Sequence, residues 1–144
     1  MQKIAAILAT AALITGLSGC SYIFYPRADD YAEKAKGTTS VETVLNLATM
    51  MEASAEASKG GTGYDQPLND LHNQFHAFDN TLCCVDEAKR ETSTYALAVT
   101  HTKELLAIFK RIWKFKDTQP QRDEHLALFQ TEVQELRTTL EALK

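Results

Sequence analysis

Pro67-Leu68-Asn69-Asp70-Leu71-His72-Asn73-Gln74-Phe75-His76-Ala77-Phe78-Asp79-Asn80-Thr81-Leu82-Cys83-Cys84-Val85 is the stretch on which the fold turns. Its apolar side chains Leu68, Leu71, Phe75, Phe78, Leu82 and Val85 step alternately by three and four. That spacing puts them in one seam of an α-helix, whereas a strand would need them at every second residue. Pro67 suits the first helical position, where an amide donor has no partner in any case. After Val85 the same steps would bring Lys89 and Thr92 into the seam, so a helix over 67–88 is expected to break within 86–94, near Glu91-Thr92-Ser93-Thr94. No Gly or Pro lies between Pro67 and Asp117, so one long helix with a stutter is the competing reading. It would leave its seam without a partner.

The same period extends outward in both directions. Tyr95, Ala98, Thr102, Leu105, Phe109 and Ile112 form the seam of a helix over 92–116, and Leu106, Ile108 and Trp113 widen it enough to touch two neighbours. Leu126, Phe129, Val133, Leu136, Leu140 and Leu143 mark a helix over 119–143 that starts near Pro120. Toward the N-terminus, Val41, Val44, Leu45, Ala48, Met51 and Ala55 define a helix over 39–58. Thr39 and Glu42 fit a capping box at its start, and Lys59-Gly60-Gly61-Thr62-Gly63 stops it. No alternating strand pattern occurs. The expected architecture is all-α, an antiparallel four-helix bundle with helices at about 39–58, 67–88, 92–116 and 119–143. A long helical hairpin completing its core as a homodimer is the alternative.

Residues ahead of the helices carry an address. Lys3 precedes an apolar run from Ile4 to Thr15, and Gly16-Leu17-Ser18-Gly19-Cys20 follows. The run is too short to span a bilayer, which takes about 20 residues, and has the plan of a secretory signal. Leu17-Ser18-Gly19-Cys20 resembles the lipobox of bacterial lipoproteins. The resemblance implies that residues 1–19 are removed and that Cys20 carries a diacylglycerol thioether and an N-acyl chain. Ser21 stands where an Asp would imply inner-membrane retention, so the resemblance implies a Gram-negative outer membrane, periplasmic side. Two or three acyl chains, at about 0.8 kcal/mol per buried methylene, anchor a protein almost permanently. Residues 20–38 then read as a lipidated tether, with Tyr22-Ile23-Phe24-Tyr25 beside the lipid and a short helix within Asp29–Lys36. Fully extended, the tether would reach about 60 Å. The helical domain occupies 39–144.

A chain of 144 residues with 44% hydrophobic and 24% charged residues suits one globular domain. A net charge of −4 argues against a nucleic-acid binder. No phosphate loop, nucleophile elbow or haem-attachment motif occurs, so no enzymatic activity and no cofactor beyond the lipid are expected.

Three groups carry candidate chemistry. His72, His76, Asp79, Cys83 and Asp86 fall within about 40° either side of His72 on one helical strip. His72 and His76 have the spacing of a Zn or Cu chelate, for which Asp79 and Cys83 are the nearby donors. His101 and His125 stand alone in other helices. Cys83 and Cys84 are the thiols remaining besides Cys20, and free thiols, a bond to a second chain and a vicinal disulfide are all open to them. Lys110, Arg111, Trp113, Lys114 and Lys116 form a basic and aromatic cluster suited to a membrane or a partner's acidic face, or to the C-terminal dipole of its own helix. The leading functional expectation is a non-enzymatic interaction module at the outer membrane. Pilotins, secretion and conjugation accessories and immunity lipoproteins share its address and architecture, though no sequence resemblance to any of them is present. A metal-binding protein using His72, His76 and Cys83 is the first alternative, and a purely structural envelope lipoprotein the second.

Overall fold

Thr39 has extended backbone, and its hydroxyl oxygen accepts the Glu42 amide at 3.1 Å, which starts a helix as the sequence requires. The Glu42 carboxylate reaches one residue further back than a capping box prescribes, taking the Thr38 amide at 2.7 Å and the Thr38 hydroxyl at 2.5 Å. These donors hold the Glu42 carboxyl below its ordinary range. The computed structural model describes residues 26–144; the signal segment, Cys20 and Tyr22-Ile23-Phe24-Tyr25 lie outside the described residues.

The described chain is all-helical: α1 (Ala28–Lys34), α2 (Ser40–Ala57), α3 (Asp65–Leu82), α4 (Glu87–Arg90), α5 (Ser93–Lys114) and α6 (Gln119–Glu141). α2 packs on α3 and on α6, α5 packs on α6, and α1 crosses onto α3. α2 and α6 run in opposite directions, since Glu52 meets Arg137 and Gln134, Glu56 meets Gln130, and Gly60 meets Asp123. Every seam residue from Leu68 to Val85 and from Leu126 to Leu143 is buried.

Three features differ from the sequence reading. The helix expected over 67–88 begins at Asp65 and stops at Leu82. Pro67 is therefore its third residue, tolerated because the first-turn amides lack partners. At its end the Cys84 and Val85 amides turn back to the carbonyls of Thr81 and Leu82, three residues earlier. That tightened turn carries Val85 into the core, and the seam ends there because the backbone leaves the helix. α4 and a Thr92 cap on the Tyr95 amide then start α5, so the single long helix is not formed.

The second difference concerns the tether. Its described part carries α1, which lies on the core: Tyr31 and Ala35 are buried, and the Tyr31 hydroxyl donates to Asp70 at 2.7 Å. The Asn46 amide donates to the Ala35 carbonyl at 2.9 Å. Third, Leu106 and Trp113, expected to widen the α5 face, remain 38% and 39% exposed.

One end of the molecule is closed by a cation. Arg122 on α6 is 1% exposed. Its guanidinium donates to the Lys116 carbonyl at 2.5 Å and to the Gly60 carbonyl, and lies 3.8 Å from the centre of the Tyr64 ring. It thus ties the α2–α3 loop to the α5–α6 loop. Gly60, at φ 95°, adopts the left-handed backbone that presents its carbonyl there. Arg122→Ala is expected to lower the unfolding free energy by about 3 kcal/mol, as two hydrogen bonds from a charged donor and a cation–π contact are lost together. Arg122→Lys recovers little of it, because an ammonium cannot span two carbonyls and a ring face. Urea denaturation followed by circular dichroism measures both.

Candidate functional site: the cleft between α3 and α5

α3 and α5 stand apart so that only their longest side chains meet. Between them lies a cleft of about 360 Å³. His72, Phe75 and His76 line it from α3, and Leu106, Phe109, Lys110 and Trp113 from α5. Its floor is an aromatic stack. Phe109 lies 6.1 Å from Phe75 with the rings nearly parallel, His72 lies 5.7 Å from Phe109, and Trp113 lies 5.5 Å from His72. The trough continues along the same seam as a second depression of about 240 Å³, walled by Asp79, Leu82 and Cys83 on α3 and by Tyr95, Val99, Thr102 and Lys103 on α5. The far end is set by the Tyr95 hydroxyl, which donates to the Leu82 carbonyl at 3.2 Å. A larger depression of about 610 Å³ beside the α1–α2 turn has mainly polar and charged walls, including Lys36, Glu42, Arg137 and Lys144, and no aromatic floor.

Two groups noted separately in the sequence meet in this cleft. Val99, Lys103, Leu106, Lys110 and Trp113 recur at helical spacing along the α5 wall, alternating apolar and cationic groups. The rest of the basic cluster turns elsewhere: Lys114 stacks on Phe115, Lys116 pairs with Asp117 at 2.9 Å, and Arg111 is exposed.

The histidine strip is brought together only in part. His72 Nε2 and His76 Nε2 are 2.9 Å apart, close enough to share one proton or one ion. Asp79 and Cys83 do not converge with them, so the set His72, His76, Asp79 and Cys83 does not form a four-ligand metal site. Successive turns of one helix fan their donors along its axis, and no neighbouring helix among the described residues supplies the rest. Cys83 and Cys84 are free and exposed, with sulfurs 3.5 Å apart. The contact with Cys84 pushes the Cys83 thiol above its ordinary value, which makes it a weaker nucleophile.

His101 is not alone. Its Nδ1 lies 2.6 Å from Glu132 Oε1 across the α5–α6 seam, each side chain 13% exposed. Burial raises the Glu132 carboxyl, opposed by the His101 contact, while neighbouring Glu104 adds to the rise. Spacing within one helix could not reveal this pair. His125 packs on Phe115, with ring centres 5.6 Å apart.

Compared with known protein families, curated proteins and solved structures, the chain matches none. No helix among the described residues is long and apolar enough to cross a membrane.

Burial, and then the charge of His76, lowers the proton affinity of His72. Below the usual imidazole pKa of about 6.5 the unfolded chain therefore binds more protons at this position than the folded one, and the contribution to stability falls as pH falls. The melting temperature is expected to drop from about pH 7 to about pH 5, and less steeply in His72→Leu. Thermal denaturation of both proteins at both pH values checks the sign.

Proposed function

We propose that the chain is a lipid-anchored periplasmic interaction module of the outer membrane. In this reading Cys20 carries the lipid and the four long helices act as one antiparallel bundle. The trough between α3 and α5 receives an amphipathic helical segment of an envelope protein. The observation that carries the reading is the aromatic floor of that trough, edged by Lys103 and Lys110 and left open to solvent. An apolar ridge fits the floor, and carboxylates beside the ridge meet the two lysines. Trp113 and Leu106 are exposed apolar groups on its edge, and tryptophan is among the residues that dominate binding energy once covered.

Because α1 is packed on the core, the link from Cys20 to Arg27 spans at most about 24 Å, far less than the full tether. The domain is held near the membrane, where a partner entering or leaving the bilayer passes it. Assembly or delivery of an outer-membrane component, as in secretion, conjugation or toxin immunity, suits such a device. The reading is non-enzymatic.

Labelling of cells with radioactive palmitate is expected to mark the wild-type chain and not Cys20→Ser. A photo-crosslinking residue at Leu106 is expected to give one discrete adduct in intact cells, lost when Trp113→Ala and Lys110→Glu are added. The same residue at Leu128, equally exposed on α6, gives none. Equal adducts from both positions, or an adduct indifferent to Trp113 and Lys110, remove the trough as the contact surface.

A further inference from the structure

We propose that His101, Glu132 and Glu135 form a site for one divalent transition-metal ion on the seam between α5 and α6. The site is independent of the trough and of the His72–His76 pair. Ligating atoms of the three side chains all lie within 4.8 Å of one another. An ion bound at 2.0–2.2 Å holds its ligands no more than about 4.4 Å apart, so small side-chain rotations close the set. The three donors come from two helices. Glu132 and Glu135, three residues apart, share one face of α6, and His101 approaches from α5.

The surroundings favour a cation. His101 and Glu132 are each only 13% exposed, so the pair sits largely out of water. Glu104, one turn from His101, adds negative charge next to Glu132. Neither Glu104 nor Glu135 takes part in an ion pair among the described residues. One imidazole facing three carboxylates leaves negative charge that a divalent ion neutralises. Nitrogen with carboxylate oxygen is a borderline donor set, suited to Zn²⁺, Fe²⁺ or Mn²⁺ and not to the soft ions that thiolates select. Glu135 is exposed, so the ion has a route from solvent, and three protein ligands leave a coordination position for water.

The test uses the full chain in detergent, without a histidine tag, in a Cys83→Ser/Cys84→Ser background that removes the exposed thiols. After chelator treatment, Zn²⁺ is titrated by calorimetry and its effect on the melting temperature is recorded. One equivalent is expected to bind and to raise the melting temperature. Glu135→Gln is decisive, because it leaves the His101–Glu132 contact in place: affinity is expected to fall at least tenfold and the metal-dependent melting shift to disappear. His72→Ala/His76→Ala is expected to keep both. Absence of binding, a loss of less than tenfold in Glu135→Gln, or loss of binding in the His72/His76 variant overturns the site. His101→Gln is read alongside for metal affinity, with circular dichroism reporting its folding. A site that fails leaves the trough reading untouched.

Discussion

A guanidinium buried to 1% exposure needs partners, and in this chain its two terminal nitrogens donate to backbone carbonyls of two different loops, while its Nε makes no hydrogen bond and lies 3.6 Å from the Asp123 carboxylate. Arg122 therefore fixes where the α2–α3 connection stands relative to the α5–α6 connection. Charge in a low-dielectric setting costs several kcal/mol unless it is met by well-placed dipoles, so the loops are held in the one arrangement that meets it. Tyr64 completes the arrangement twice over, by offering its ring face to Arg122 and by donating its hydroxyl to Asp117 at 3.0 Å. Asp123 accepts the Gly60 amide at 3.3 Å from the same corner. At the opposite end Lys89 donates to the carbonyls of Leu143 and Lys144, where the α6 dipole favours a cation.

These end contacts explain how a trough persists along the middle of the molecule. α3 and α5 are each covered on one side, α3 by α2 and α1, α5 by α6. Their separation from each other is set at the ends, by Arg122 and its loops and by Tyr95 against Leu82. Large rings bridge part of the gap, and the space they leave is the 360 Å³ cleft. Closing it would require displacing the loops that Arg122 holds.

The His72–His76 pair and the His101–Glu132 pair show why neighbours in sequence and neighbours in space differ chemically. His72 and His76 sit one turn apart on α3 and face an aromatic wall, which offers no third ligand. His101 has no useful neighbour on its own strip apart from Glu104, yet it meets Glu132 and Glu135 across a tightly packed helix pair. The first pair was legible in the sequence because spacing alone defines it. The second depended on the register of α5 against α6, which spacing does not contain.

Local sequence was enough for the all-helical class, the seams of α2, α3, α5 and α6, and the Thr39 start of α2, whereas the Thr92 cap of α5 emerged only in the structure. The former follow from local physics: a period of 3.6 residues, and a hydroxyl that satisfies a free amide. Tertiary structure decided what local physics leaves degenerate. It ended α3 at Leu82, where the Cys84 and Val85 amides turn back to carbonyls three residues earlier while Val85 stays in the core. It folded α1 onto α3, because Tyr31 finds both a core and Asp70 there. It left Trp113 and Leu106 at a cleft edge, because which flank of a wide apolar face is covered depends on how far away the next helix is held.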